Sequence, residues 1–369
     1  MKIAILSPFL FRYLRGVERF TVDLSNSMGR LGAEVHVLTW KWNEPWAWGE
    51  LEPNVFLHPI RLPRYYQSLW AGFAYTYWLA KIQPDFVMIN FLWHGEKLAL
   101  RLLPNFIRKT FYVLHYPAEQ VPHRYKQIRE SNLIQKGLKL ISISQYVADG
   151  VEEWLGDSYA VIPNGVNVER FSPTDDNVKQ RESLGIPQDD FVLLTVAALE
   201  KRKGIHKVLS ALPEVVSQVP NFLYLVVGTG SEHEKIQQQA SELGLEANVR
   251  LPGNVSDPLP IYQVADIFVF LSRGEASPLA PLEAMACGLP MIAAQRRPLD
   301  EICAPLGTYF VDDTNTDQIV ASILELYSDS QKRAFMGRES RNHVEEHYAW
   351  GQIAERYMHL FVEYQEVLL

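Results

Sequence analysis

Residues 275–290 read EASPLAPLEAMACGLP. The apolar run at 267–271 before them has the length and composition of a buried strand. Pro278 and Pro281 mark the start of a helix, and Gly288 and Pro290 mark its end. Glu275 therefore falls in the loop at the carboxyl end of a strand, and Glu283, seven intervening residues later, falls inside the helix that follows. Helix N-termini at such strand ends collect anions in doubly wound sheets. A carboxylate accepts two hydroxyl protons at once, and hydrogen bonds to charged acceptors are strong, so this pair suits hydroxyls and phosphates held together.

Outward from this stretch the chain alternates short apolar runs with longer amphipathic segments. Strand-like runs stand at 2–7, 34–39, 86–90, 110–114, 139–143 and 159–162. A second series stands at 191–197, 222–227, 249–251, 267–271, 291–294 and 308–311, and helical spacing fills gaps such as 17–31, 205–218 and 233–243. Strands alternating with helices predict parallel sheets covered on both faces. Two series predict two doubly wound α/β domains. Turn chemistry in VIPNGVNVERFSP, residues 161–173, sets the boundary between them. The polar stretch 174–181 has no apolar period and is expected as a surface loop.

Composition bounds the function. A chain of 369 residues exceeds what one core usually holds, and 47% hydrophobic content can fill two. The net charge of −8 excludes a general nucleic-acid binder, which needs a basic surface against phosphates. Cys287 and Cys303, the two cysteines, sit among apolar or small residues and read as buried free thiols, which fits the reducing cytoplasm. MKIAILSPF is too short an apolar run for a signal peptide and reads as a first buried strand, and no run of about 18 apolar residues marks a membrane span. Metal chemistry is not indicated: there is no Asp-x-Asp, and His343 and His347, four apart, lack a Glu-rich catalytic context.

The Glu-x7-Glu pattern with LEAMACGLP behind it resembles the retaining glycosyltransferases of the GT4 type, which have the GT-B fold. The PNG connection at 163–165 and HYAWGQIAERYMHLFVEYQ at 347–365 extend the likeness over essentially the whole chain, strongest over 161–294 and loosest over 39–81. The resemblance implies two Rossmann-like domains facing a cleft. Residues 1–165 would bind the acceptor and 166–351 the nucleotide sugar, while a last helix at about 352–369 crosses back to the first domain.

The resemblance also implies roles. Glu275 addresses the transferred sugar, amides around Pro278, Leu279 and Ala280 cover the diphosphate, and Glu283 grips the ribose hydroxyls. EKRKG, residues 200–204, places Arg202 and Lys203 where a strand ends and a helix begins, in reach of a diphosphate. The family carries an Arg five residues before this Lys. Here that position is Ala198, and Arg202 is the candidate substitute. In the loop 8–18 the family often has two adjacent glycines; Arg15 and Gly16 occupy their places, and one glycine still permits close backbone approach. His115 ends TFYVLH at a strand's carboxyl end, where the family's His contacts the transferred sugar. Val249 and Arg250 complete the donor-binding set. GTGSEH at 228–233 lacks the third glycine of a dinucleotide fingerprint, and neither a metal nor an organic cofactor is expected.

The implied activity is metal-independent, retaining transfer of a hexose from a nucleotide-diphosphate sugar, with a UDP-hexose such as UDP-glucose favoured, to a saccharide or lipid-linked saccharide acceptor. Trp40, Trp42, Trp46 and Trp48, and the aromatic stretch 64–78, can stack on sugar rings or settle at a membrane interface. Arg124, Lys126, Arg129, Lys136 and Lys139 can meet anionic lipid, so peripheral contact with the inner membrane face stays open beside a core and wetted-surface role for these residues. Two other readings also stay open: a sugar-nucleotide-binding protein without turnover, motivated by Ala198, and an epimerase or phosphorylase on the same scaffold. Oligomeric state is not legible in the sequence.

Overall fold

In the computed structural model, which describes residues 1–11, 16–44, 46, 49–63, 67–156, 158–174 and 176–368, the apolar runs pair into two parallel sheets. The first contains β1 (Lys2–Leu6), β2 (Glu34–Trp40), β3 (Val55–Ile60), β4 (Phe86–Ile89), β5 (Thr110–Leu114), β6 (Lys139–Ser142) and β7 (Ala160–Val161), in the order β3-β2-β1-β4-β5-β6-β7. The second contains β8 (Phe191–Val196), β9 (Phe222–Val227), β10 (Val249–Gly253), β11 (Ile267–Phe270), β12 (Met291–Ala294) and β13 (Thr308–Val311), in the order β10-β9-β8-β11-β12-β13. Pairing is parallel: Ile3 lies opposite both Val35 and Phe86, and Leu193 opposite both Tyr224 and Ile267. Strands β4, β5, β11 and β12 are buried along their whole length, which is why they read as unbroken apolar runs rather than alternations.

Two expectations need correction. Strand β3 was absent from the sequence reading; it is an edge strand that exposes Phe56 and carries Pro59, a residue the edge of a sheet tolerates because no ladder donor is needed there. The stretch 174–181 is not simply a polar surface loop. It enters the helix Asn177–Ser183, where Arg181 is buried and gives hydrogen bonds to the carbonyls of Gln188, Asp190 and Val264 at 3.0, 2.7 and 2.9 Å and to Asp266 at 3.0 Å. A polar residue can be buried when most of its donors are filled in this way; Arg181 Nε is the exception among the described residues.

The chain forms two compact units, Met1–Gly165 with Trp350–Leu369, and Val166–Ala349. The last helix, Trp350–Leu368, begins two residues before the expected position and packs in the first unit, with Phe361 stacked on Phe86 at 5.0 Å. In each sheet the strand order reverses once, between β1 and β4 and between β8 and β11. Connections leave these points on opposite faces, so the carboxyl ends there open into a crevice. Among the described residues, no helix is long and apolar enough to cross a membrane.

Candidate active site

The β8/β11 reversal brings together residues distant in sequence. After β8 the chain makes a 3-10 turn, Lys201–Lys203, and reverses at Gly204. Gly204 has φ +74, and a Cβ there would stand 2.4 Å from the Leu271 carbonyl oxygen, so only glycine lets the β8 connection lie against the β11 connection. At that contact Arg273 N–H donates to the Arg202 carbonyl at 2.8 Å. Glu275 Oε1 then accepts from Lys203 Nζ at 2.5 Å, from Arg202 Nη1 at 3.0 Å and from the Ser272 hydroxyl. Arg202 also donates through Nε to Glu200 at 2.7 Å. The Lys203 and Glu275 side chains are only 10% and 12% exposed, so their attraction is little screened by solvent.

Pro278 stands at the N-cap of the helix Leu279–Ala286, whose first amides, at Leu279 and Ala280, have no carbonyl partner within the helix. Glu283 lies inside this helix, buried, and its Oε2 accepts from the Tyr262 hydroxyl at 2.8 Å. Tyr262 was not among the sequence candidates. It comes from the helix Leu259–Val264, and nothing in the local pattern of that segment signals a polar contact.

In the first unit His115 is buried just past β5, with Phe20 edge-on to its ring at 4.8 Å. Its Nε2 donates to Asn90 Oδ1 at 3.1 Å, and Asn90 Nδ2 donates to Thr21 Oγ1 at 2.7 Å, which lies 3.1 Å from the Ser7 hydroxyl. The chain thus runs across the carboxyl ends of β5, β4 and β1. Burial pushes the imidazole down to about 3, so it is neutral at ordinary pH. Gly16 opens the helix Gly16–Arg30; Arg15, like Trp48, lies outside the described residues.

The structure takes Arg250 away from this site. Its guanidinium donates to the carbonyls of Leu184 and Gly185 at 3.0 and 3.2 Å, in the connection that enters the amino end of β8, whereas Arg202, Lys203 and Glu275 follow the carboxyl ends of β8 and β11. Val249 packs against the apolar core of the same unit. The sequence offers no local sign of either direction.

Residues 14–170 match the family model described as Glycosyltransferase Family 4, and residues 176–343 match Glycosyl transferases group 1, one model on each half of the chain. The chain belongs to the GT4-type glycosyltransferases. Among curated GT4 relatives it is 30% identical, over 59% of its own length and 60% of the other's, to a GDP-mannose-dependent monoacylated α-(1-6)-phosphatidylinositol monomannoside mannosyltransferase of Corynebacterium glutamicum, so it spans less than two thirds of that relative. It is 25% identical, over 79% of its length and 80% of the other's, to an α-monoglucosyldiacylglycerol synthase of Acholeplasma laidlawii. Solved structures show its fold to be GT-B: sucrose-phosphate synthase from Thermosynechococcus elongatus has a TM-score of 0.81 at 21% identity, covering 99% of each chain. Anabaena HepE in complex with UDP and glucose has 0.81 at 19% identity, covering 97% of this chain and 98% of that one.

Proposed function

We propose that this chain moves a hexose from a nucleotide-diphosphate sugar to a hydroxyl of a saccharide or lipid-linked saccharide, with retention at the anomeric carbon. The observation that carries the reading is the Glu275 carboxylate held by Lys203 and Arg202 at the β8/β11 reversal, with Glu283 buried inside the adjoining helix. A departing nucleotide diphosphate gathers negative charge on its phosphate oxygens. The Lys203 ammonium, the Arg202 guanidinium and the Leu279 and Ala280 amides are the groups of this unit that meet it. A diphosphate competes with Glu275 for both cations, and the displaced carboxylate turns to sugar hydroxyls.

In this reading the bond from the anomeric carbon to the phosphate oxygen breaks, the acceptor oxygen bonds to that carbon on the same face, and the acceptor proton passes to a leaving phosphate oxygen. His115, held neutral, serves by hydrogen bonding: with Nε2–H given to Asn90, Nδ1 is its acceptor nitrogen. Glu283 takes the ribose hydroxyls.

A UDP-hexose is the favoured donor, supported by the complex of Anabaena HepE with UDP-glucose, while the corynebacterial relative is named for GDP-mannose. A thermal-shift panel of UDP, GDP, ADP and their hexoses decides, because a ligand that binds the folded state raises its apparent stability. A response to GDP alone overturns the UDP choice. No response to any nucleotide overturns the donor reading.

Aromatic side chains support the acceptor class. Phe9, Trp40, Trp42, Phe91 and Trp93, at the carboxyl ends of β1, β2 and β4, touch one another with ring centroids 5.0 to 6.4 Å apart. The helix Gln67–Ile82 carries no acidic residue and exposes Leu69, Trp70, Phe73 and Tyr77, which suits a sugar or a lipid interface at the inner membrane face. Sedimentation with phosphatidylglycerol vesicles tests the lipid part: native protein should pellet and Trp70→Ser with Phe73→Ser should not, and a native protein left in the supernatant refutes it.

A further inference from the structure

Asp313 stands just past β13 with its side chain fully buried, and three cations converge on it. Lys207 reaches it from the first turn of the helix Ile205–Gln218. Arg273 reaches it from the connection after β11, through Nε at 3.0 Å and Nη2 at 3.3 Å, and Arg296 from the connection after β12 through Nη2. Burial by itself would raise the Asp313 pKa, but hydrogen bonds from Arg273, Lys207 and Arg296 outweigh it and hold the carboxyl well below its usual range. Asp313 is therefore charged. Asp313 balances one of the three positive charges, the exposed Asp312 beside Arg273 and Arg296 balances a second, and a surplus of one remains.

A clasp that only tied these connections together would not need that surplus. Three cations gathered on one anchor repel one another, and a second anion relieves the repulsion. The donors are also unfilled in part: Arg296 Nε is buried and has no hydrogen-bond partner among the described residues, and a buried donor without a partner costs stability. The Arg273 side chain is 48% exposed, so the cluster is open to solutes. It adjoins the pair described above, since Arg273 is two residues from Glu275 and Lys207 four residues from Lys203, at the same carboxyl ends of the second sheet. Guanidinium forks favour oxyanions, which they bind through two parallel hydrogen bonds.

We infer that Lys207, Arg273 and Arg296 form a second oxyanion subsite beside the Lys203–Glu275 pair, and that it receives a phosphate or carboxylate borne by the sugar substrate. The attachment to a sugar rests on the proposed transferase reading; the binding of an oxyanion does not. Asp313 fixes the three cations from below, and their outward N–H groups form the site.

Titration with inorganic phosphate at constant ionic strength, followed by calorimetry, tests the subsite without any turnover. Saturable binding is expected, weakened about tenfold or more by Arg273→Gln and by Arg296→Gln, the scale of a lost charge-assisted contact, and changed less than about threefold by Lys203→Gln. Arg273→Lys keeps a charge on Asp313 but loses the fork; a native thermal transition with intermediate affinity separates loss of the site from loss of the fold. Absence of saturable binding overturns the inference, as does binding that survives both arginine substitutions and disappears with Lys203→Gln. Glucose 6-phosphate and glucuronate, each compared with glucose and with inorganic phosphate, then identify the source of the oxyanion. One of the two should bind more tightly than phosphate alone, and equal affinity of both with phosphate overturns the sugar assignment. The nucleotide thermal-shift panel is read independently, so failure there leaves the phosphate result standing and the reverse also holds.

Discussion

Tyr262 gives its hydroxyl hydrogen to Glu283 Oε2 across 2.8 Å, and both side chains are buried. The bond joins two helices of the second unit and fixes the direction of a carboxylate that local sequence places in a helix but does not aim. Glu283 is thereby preorganised as an acceptor, and such an acceptor binds hydroxyls without losing the freedom of a mobile side chain.

Glu283→Ala should therefore weaken binding of the free nucleoside diphosphate while the fold persists. The loss of a charged hydrogen-bond partner is about 1.5 to 3 kcal/mol, or roughly tenfold to a hundredfold in affinity. Tyr262→Phe removes only the aiming contact and should cost less, about 0.5 to 1.5 kcal/mol. Calorimetry measures both, and an unchanged affinity in Glu283→Ala contradicts the ribose assignment.

In the proposed function, Ala198 leaves the phosphates to Lys203 and Arg202, both gathered at Glu275. Arg202→Ala should lower turnover at saturating donor roughly a hundredfold, the scale of a lost preorganised transition-state contact, and Lys203→Ala should abolish transfer. A silent Arg202→Ala together with an active Lys203→Ala would mean that the diphosphate binds elsewhere.

Transfer should persist in excess EDTA, because in the proposed function these two cations and the amides of the helix Leu279–Ala286 neutralise the leaving group. Rates with and without chelator check this. Loss of activity restored by added Mg²⁺ refutes it.

Two buried groups of the first unit set opposite pH trends in stability. Burial lowers His115 to about 3 from an ordinary value near 6.5, so the unfolded chain takes up its proton first. Its contribution is complete above 6.5 and is lost as pH falls toward 3. Glu96, buried at the start of the helix His94–Leu102, is raised by burial to about 7. Its contribution is complete below the ordinary carboxyl value near 4.5 and is lost as pH rises through about 7. Thermal midpoints across this range should show Glu96→Gln gaining on the native protein as pH rises from 4.5 to 7, and His115→Asn losing the acid-side decline. Parallel native and Glu96→Gln curves contradict the neutral Glu96.

Much of this protein is determined by short-range pattern. Strands such as Phe86–Ile89 and Ile267–Phe270 are buried on both faces, so apolar runs alone announce two parallel sheets. Glu275, Pro278 and Glu283 are legible because a strand end, a helix start and a helix interior are consecutive in the chain. Other features depend on tertiary structure. Lys203 meets Glu275 across 72 residues, Arg273 and Arg296 meet Asp313 across 40 and 17, and His115 meets Asn90 across 25. Strand order decides which connections adjoin, and no local period encodes it. Arg250 and Arg181 make the same point: the first reads as a donor-binding residue and the second as part of a polar surface loop, and only the packed fold supplies the carbonyls that turn one toward the amino end of β8 and bury the other. Edge strand β3 stayed hidden because an edge asks neither for continuous burial nor for every backbone donor. Periodicity is a property of neighbouring residues and can be read along the chain, whereas the pairing of distant charges exists only once the sheets have assembled.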